Sequence, residues 1–551
     1  MLETRSLHSL VKVFPDEPLT ETAYRRATAL GNEWFSWQTA YRSSFGHTLR
    51  NIQIRLSSGL LDRVSVRNVG LVPSEFPCYP DHDEHILRTS VGLYPDPLHP
   101  ISENGLLIPP RQWRALWITA DLSGADAAPG LYPIQIQFIH ENGSVLAEET
   151  FELEIIAAAL PEQKLIHTEW FHTDCLATQY KVEVFSEEHW RIVEKYVQCA
   201  VRGGMNMLLT PIFTPPLDTK VGGERPTVQL VDVVKDGETY VFAFDKLKRW
   251  AQIGDRSGIR YFEFSHLFTQ WGAKHAPKIM AVENGVLTRI FGWDTDAAGE
   301  SYKSFLGQFL PQLTAFLREN GLERRSYFHV SDEPSLEHLP WYSSASELLQ
   351  TYLSDFPVID ALSNIEYYDK GLVSNPIPAS NHIGPFLERG VEDLWTYYCC
   401  GQYKEVSNRF FHMPSARNRI LGVQLYKFAI AGFLHWGYNF WYSQYSERKL
   451  NPYQTTDADF AFPSGDAFLV YPGENGEPVE SVRLNVFREG LQDLRALQLL
   501  ESFIGHDEVM RLVEEGLQEE ITFNSYPRDA AWLLTFREKI NERIRAAQPG
   551  R

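Results

Sequence analysis

From about residue 30 to 155, apolar and polar positions alternate in short runs separated by Pro, Gly, Asn and Asp. Trp34 to Tyr41 (WFSWQTAY), Asn51 to Leu56 (NIQIRL), Ala115 to Ala120 (ALWITA) and Tyr132 to Phe138 (YPIQIQF) are the clearest. A period of two places alternate side chains on opposite faces of a strand, so residues 1–160 are predicted to form an antiparallel β-sandwich. Asn142-Gly143, between two such runs, predicts a hairpin tip. Ala157 to Glu162 predicts a linker.

After residue 164 the rhythm changes to apolar strand, loop and amphipathic helix, repeated. Strands are predicted at 165–171, 206–213, 260–267, 326–332, 357–365, 379–386, 393–399 and 432–440. Between them, Trp190, Val193, Tyr196, Val197 and Ala200 share one helical face, as do Tyr302, Phe305, Leu306, Phe309 and Leu313. Eight strands alternating with helices over residues 161–450 predict a central (β/α)8 TIM-like barrel. Residues 451–551 begin rich in Pro, Asp and Gly and pass into helices, with Leu484, Phe487, Leu491 and Leu494 on one face and Trp532, Phe536, Ile540 and Ile544 on another. A C-terminal helical extension packed on the barrel is expected, making the chain multidomain, as 551 residues also imply.

Charge narrows the partners. A formal net charge of −20 disfavours nucleic acid and anionic membranes, both of which require a basic patch. The five cysteines are odd in number, scattered and without a CxxC, which reads as free thiols in a reducing compartment. The first residues show no apolar leader, and no run approaches 18 apolar residues, so a cytoplasmic location is expected. The aromatic content of 13% suits a core and also a platform for flat ligand faces.

Candidate chemistry centres on Tyr327 to Pro334 (YFHVSDEP). An apolar run climbs into two adjacent carboxylates, and Pro334 ends it, which places Asp332 and Glu333 at the C-terminal lip of the fourth barrel strand. Neighbouring like charges push two pKa values apart and suit acid-assisted cleavage of a glycosidic bond. The same dipeptide also suits a turn capping the helix from Ser335. Company at the other strand ends favours a pocket: Trp170 and His172, His266 and Trp271, Asn364, Trp395, Tyr397 and Tyr398, then Trp436, Asn439 and Trp441. Aromatic faces beside a few polar groups match what a sugar ring presents. Strand seven ends in Tyr397-Tyr398-Cys399-Cys400 and offers no nucleophilic carboxylate. Glu366 is one substitute. The other is the substrate's own 2-acetamido oxygen, with Asp332 orienting that group and Glu333 acting as acid and then base. Phosphate-loop, dinucleotide and serine-esterase motifs are absent, and His167, His172 and Asp174 lack metal-ligand spacing, so neither cofactor nor metal is expected.

The runs LWTYYCCGQ (394–402), RFFHMPSARNRILGVQLYKFAIAGFLHWGYNFW (409–441) and DAFLVYPGENGEPVESVRLNVFREGLQDLRALQLL (466–500) resemble the DUF4091 region of proteins related to glycoside hydrolase family 123, and FHVSDEP (328–334) resembles that family's catalytic segment. The resemblance implies a β-sandwich followed by a (β/α)8 barrel, and an exo-acting, retaining β-N-acetylgalactosaminidase using neighbouring-group participation. It implies that Asp332 stabilises the acetamido group, that Glu333 is the acid/base, and that Tyr397, Trp436 and Trp441 line the pocket. Two alternatives stand beside it: a glycosidase for 2-hydroxy sugars with Glu366 as nucleophile, and a non-catalytic glycan-binding protein.

Overall fold

A computed structural model describes residues 2–124 and 128–548. The chain is multidomain, with a β-rich N-terminal region and a helical C-terminal part. Two five-stranded sheets form the N-terminal region. One runs in the order Leu2–His8, Trp34–Ser43, Arg114–Asp121, Val64–Ser74, Gly92–Pro100. The other runs Arg26–Gly31, Val145–Ala159, Gly130–Ile139, Leu49–Ser57, Leu106–Ile108. The predicted alternation is visible in the burial: Ile134, Ile136 and Phe138 are buried between the sheets while Gln135 and Gln137 are not. One pairing departs from the antiparallel expectation, since Arg26–Gly31 runs parallel to Val145–Ala159. The hairpin at Asn142-Gly143 is present. Gly143 adopts φ +84° and its N–H donates to the carbonyl of His140 at 2.8 Å, a conformation that favours glycine.

Strand Arg114–Asp121 shows why this region does not stand alone. Leu116 and Ile118 point into the sandwich core, while Trp117, one step out of phase, belongs to the large core shared with the rest of the chain. Period two thus serves two cores at once. The second face packs on helix Val482–Ile504, which starts at an N-cap where Ser481 Oγ accepts from the N–H of Leu484 at 3.1 Å. That helix is buried along most of its length. Gly422 meets it at Gly490, where the backbones approach too closely for a Cβ.

Eight short parallel strands follow in chain order: Ile166–Glu169, Met207–Thr210, Tyr261–Phe264, Ser326–Tyr327, Ile359–Ala361, Asn375–Ile377, Trp395–Tyr397 and Gly432–His435. They are hydrogen-bonded as sheets of three, three and two, with single bridges at Phe328–Val358 and Ala379–Tyr397. No ladder joins the first strand to the second. There the Asn206 side chain intervenes, its Oδ1 accepting from the N–H of His167 at 2.8 Å. The expected closed barrel is therefore not found as a continuous hydrogen-bonded sheet. The sixth strand lies at Asn375–Ile377, not 379–386: Pro385 sits in the first turn of helix Gly384–Arg389, where its fixed φ favours helix over strand. An unforeseen four-stranded sheet, Asp232–Asp236, Thr239–Ala243, Ile279–Glu283 and Val286–Phe291, is inserted around the third strand. Among the described residues no helix is long and apolar enough to cross a membrane.

Candidate active site

The fourth strand stops early, and its early end places the carboxylate pair. Ladder pairing covers only Ser326–Tyr327. Beyond it, the N–H groups of Val330 and Ser331 donate to the Asp360 side chain on the fifth strand (3.1 and 3.4 Å) instead of to that strand's backbone. Asp332 and Glu333 are thus released into a pocket lined by aromatic and polar side chains. Glu333 takes φ +43°, a left-handed conformation that costs a non-glycine residue about 1–3 kcal/mol. It is held there by its N–H donating to the carbonyl of Ala361 at 3.0 Å.

A buried polar chain lies beneath the pair. His329 Nε2 is 2.6 Å from Glu263 Oε1, and its Nδ1 is 2.9 Å from Asp360 Oδ1. Glu263 also accepts from Thr168 Oγ1 and from Trp170 Nε1 (2.7 Å), and Tyr342 donates to Asp360. Burial works against charge on His329, but its hydrogen bonds to Asp360 and Glu263 raise the pKa to about 9, so an imidazolium sits under the pocket floor. His266 stacks on it at 4.1 Å between ring centroids; burial first, and then the charge of His329, push its pKa well down. His266, His329 and Asp360 bring possible ligand atoms within 4.8 Å of one another. Both nitrogens of His329 already face carboxylates, so a metal ion would have to displace a proton that two acids hold.

Burial, then the neighbouring charge of Glu333, holds Asp332 well above the usual carboxylate range. Burial also raises Glu333, against the pull of Tyr397, whose hydroxyl donates to Glu333 Oε1 at 2.6 Å. The pair therefore retains a proton at higher pH than either acid would alone.

Of the residues the sequence singled out, Trp170, Trp271, Tyr397 and Trp436 line this pocket with Asp332 and Glu333. Hydrogen bonds fix two of the rings: Trp170 to Glu263, and Trp436 Nε1 to Asp466 Oδ2 at 2.9 Å. The others lie outside the lining. His172 is buried, with Nε2 2.9 Å from the carbonyl of Trp436 and Nδ1 facing Arg225, and Asn439 brackets its backbone at both N–H and carbonyl. Trp395 is packed among the strands against Gly432, Tyr398 against Phe433, and Trp441 is buried with Nε1 donating to the carbonyl of Val470. His266 is beneath the floor. Asn364 is half-buried on the loop after the fifth strand, and Glu366 is exposed at the start of the one-turn helix Glu366–Asp369, neither lining the pocket.

Sequence reasoning missed Asp218, Gln270, Gln444, Tyr445 and Phe462, which loops bring to the pocket, and Cys399 and Cys400, which it read only as free thiols. Asp218 Oδ2 accepts from the N–H of Tyr445 at 3.2 Å, and burial lifts its pKa to about 6. No local pattern marks these positions. A cluster of left-handed residues does accompany them: Asp218, Trp271 and Tyr445 all have positive φ. The lining contains no Lys or Arg. Three carboxylates, two amides and a set of aromatic faces can hold a neutral polyhydroxylated ring and move a proton beside it.

Comparison with known proteins agrees with that chemistry. The model described as "Glycoside hydrolase 123, catalytic domain" matches residues 170–500. None of the curated proteins matches. A solved family 123 glycoside hydrolase from Clostridium perfringens, described for glycolipid glycan hydrolysis, is similar over 99% of this chain and 98% of its own, with a TM-score of 0.74 and 16% identity. An endo-β-1,4-mannanase from Thermotoga petrophila (TM-score 0.34, 11% identity, 61% and 77% covered) and a putative β-galactosidase from Bacteroides fragilis (0.32, 8%, 83% and 58%) are too distant to bear on the site.

Proposed function

Since the chain belongs to glycoside hydrolase family 123, we propose that it is a retaining exo-glycosidase that removes a terminal 2-acetamido sugar, β-N-acetylgalactosaminide-like, by substrate-assisted catalysis. The observation that carries this reading is the placement of Asp332 and Glu333 side by side on the pocket floor, with Tyr397 donating to Glu333 from the seventh strand, where a two-carboxylate retaining enzyme would present its nucleophile. We read the eight parallel strands as a (β/α)8 scaffold and the pocket as its C-terminal mouth.

In the free pocket the shared proton favours Asp332; an acetamido N–H donating to Asp332 favours its ionised form and leaves the proton on Glu333, which protonates the leaving oxygen. The acetamido carbonyl oxygen attacks the anomeric carbon, the glycosidic bond breaks, and an oxazolinium-type ring forms with retention still to be completed. Asp332 accepts from the acetamido N–H and balances the charge that develops on that ring. Glu333, now ionised, takes a proton from water as it opens the ring, restoring the acid. Trp170 and Trp436, pinned by Glu263 and Asp466, offer faces for the sugar's C–H surface. Glu366 lies outside the lining, which disfavours a nucleophilic role for it.

The test compares aryl β-glycosides with and without the 2-acetamido group. Asp332→Asn is expected to abolish turnover of the 2-acetamido substrate, and Glu333→Gln to spare aryl groups that leave without protonation. Equal turnover of the 2-hydroxy glycoside, with a covalent sugar adduct on Asp218 or Glu366, would overturn the reading.

A further inference from the structure

A second cavity shares no lining residue with the first. It opens between Trp34 of the sandwich, Gln163 of the connecting segment, Arg202 at the end of helix Glu187–Arg202, and Arg488, Gln492 and Arg495 on helix Val482–Ile504. Arg488 and Arg495 are seven residues apart, two helical turns, so both reach the same side.

Three guanidinium groups line this space and no carboxylate does, in a chain whose net charge is −20. The acids nearby are already engaged. Glu480 is 2.7 Å from Arg67 and 3.6 Å from Arg202, and Glu33 pairs with Arg537 at 2.8 Å. Arg488 meets neutral acceptors: Nη2 donates to Asn485 Oδ1 at 2.6 Å, Nη1 to the carbonyl of Arg202 at 3.3 Å, and the group stacks on Trp34 at 4.2 Å. Its Nε–H is buried without an acceptor, and the residue is only 6% exposed. Arg495 Nε donates to the carbonyl of Pro161 at 2.7 Å. Burial lowers Arg488 to about 10, offset only in part by Glu480 and Glu489, and lowers Arg495 against the smaller pull of Glu33. Two of the three lining amides are spent: Gln492 spans the N–H and carbonyl of Trp34, and Gln163 donates to Leu165 and Gly204, while Asn32 accepts from the N–H of Gly124 and keeps its amide NH2 beside the guanidinium groups. The donors left over are the three guanidinium groups and one amide, a cationic set that repels a metal ion and suits an anion. Forked guanidinium donors match the oxygens of a phosphate group.

We propose that this cavity is a binding site for a phosphate group, held by Arg202, Arg488 and Arg495 at the seam between the sandwich and the helical part. Such a group arrives as free inorganic phosphate or on a phosphorylated sugar. Calorimetric titration of the whole protein with sodium phosphate and with glucose 6-phosphate, each against sodium chloride at equal ionic strength, distinguishes the two. Saturable single-site binding that chloride does not reproduce is expected, with Arg495→Gln weakening it at least tenfold while glycosidase turnover is unchanged. Tighter binding of the sugar phosphate assigns the site to phosphorylated sugars; equal or weaker binding assigns it to free phosphate. Should Arg495→Gln fail to fold, the half-exposed Arg202→Gln carries the same expectation. Absence of saturable binding, or binding indifferent to both substitutions, overturns the proposal.

Discussion

In the pocket, Asp332, Glu333 and Asp218 share one space with no Lys or Arg in its lining, and burial raises all three pKa values. Elsewhere in the core, carboxylates of the same types meet arginines. Glu169 receives two 2.7 Å hydrogen bonds from Arg409, which hold it well below the carboxylate range despite complete burial. Arg417 does the same for Asp83, bringing it to about 2, and Arg67 with its neighbours brings Glu480 to about 2. Burial acts in one direction on every carboxylate, so the partner decides the sign. Glu489 shows the boundary. Its cation, Arg419, forks onto Asp493, leaving Glu489 one 3.0 Å contact and a pKa near 7. A carboxylate denied a cation is a poor structural element and a usable acid.

Removing function from the unpaired side is expected to have the largest effect. Glu333→Gln should lower kcat/KM about 10²–10⁴-fold for a glycoside with a poor leaving group, measured by steady-state kinetics, with little change in melting temperature. On the paired side the outcome inverts. Arg409→Met strands Glu169 in the core and should cost about 3–5 kcal/mol in urea unfolding, while Glu169→Leu in the same chain restores most of it.

His329 belongs to both regions, a buried cation between two acids under the Asp332–Glu333 pair. Its folded pKa of about 9 exceeds the ordinary value of 6.5, so its contribution is complete below about pH 6.5 and is lost as pH rises through 9. The loss should be on the order of 3 kcal/mol, read from unfolding midpoints between pH 6 and 10, and His329→Gln should flatten that slope. Because the charge of His329 also lowers Asp332, the same variant should move the acidic limb of kcat/KM to higher pH.

The smallest effect is expected at Tyr397→Phe. Losing one hydrogen bond to a charged acceptor should reduce kcat/KM about tenfold. It should also let the Glu333 pKa climb, shifting the basic limb of the pH profile upward. A downward shift would mean that the tyrosine holds the protonated acid instead.

Much of this architecture can be read locally. Alternation in 34–41 and 132–138 specifies strands because each residue's face follows from its neighbours, and the apolar run into Pro334 places two acids at a strand end. Seven of the eight parallel strands lie within their predicted ranges for the same reason. Asn375–Ile377 eluded prediction because three residues around a proline carry no periodicity. Trp441, Tyr398 and Trp395 were assigned to the pocket because an aromatic residue near a strand end reads the same whether it faces a ligand or a core.

What the sequence determined by itself is most of the parallel strands, the alternating strands of the sandwich and the adjacency of Asp332 and Glu333, since strand period, proline and adjacency are properties of short stretches. Tertiary structure alone decided which acids meet cations. Arg409 and Glu169 are 240 residues apart and Arg537 and Glu33 504 apart, and nothing local distinguishes them from Asp332 or from the unpaired Arg488. An ionisable group's behaviour depends on the charges within a few ångströms and on exclusion of water, and both are set by how distant segments pack.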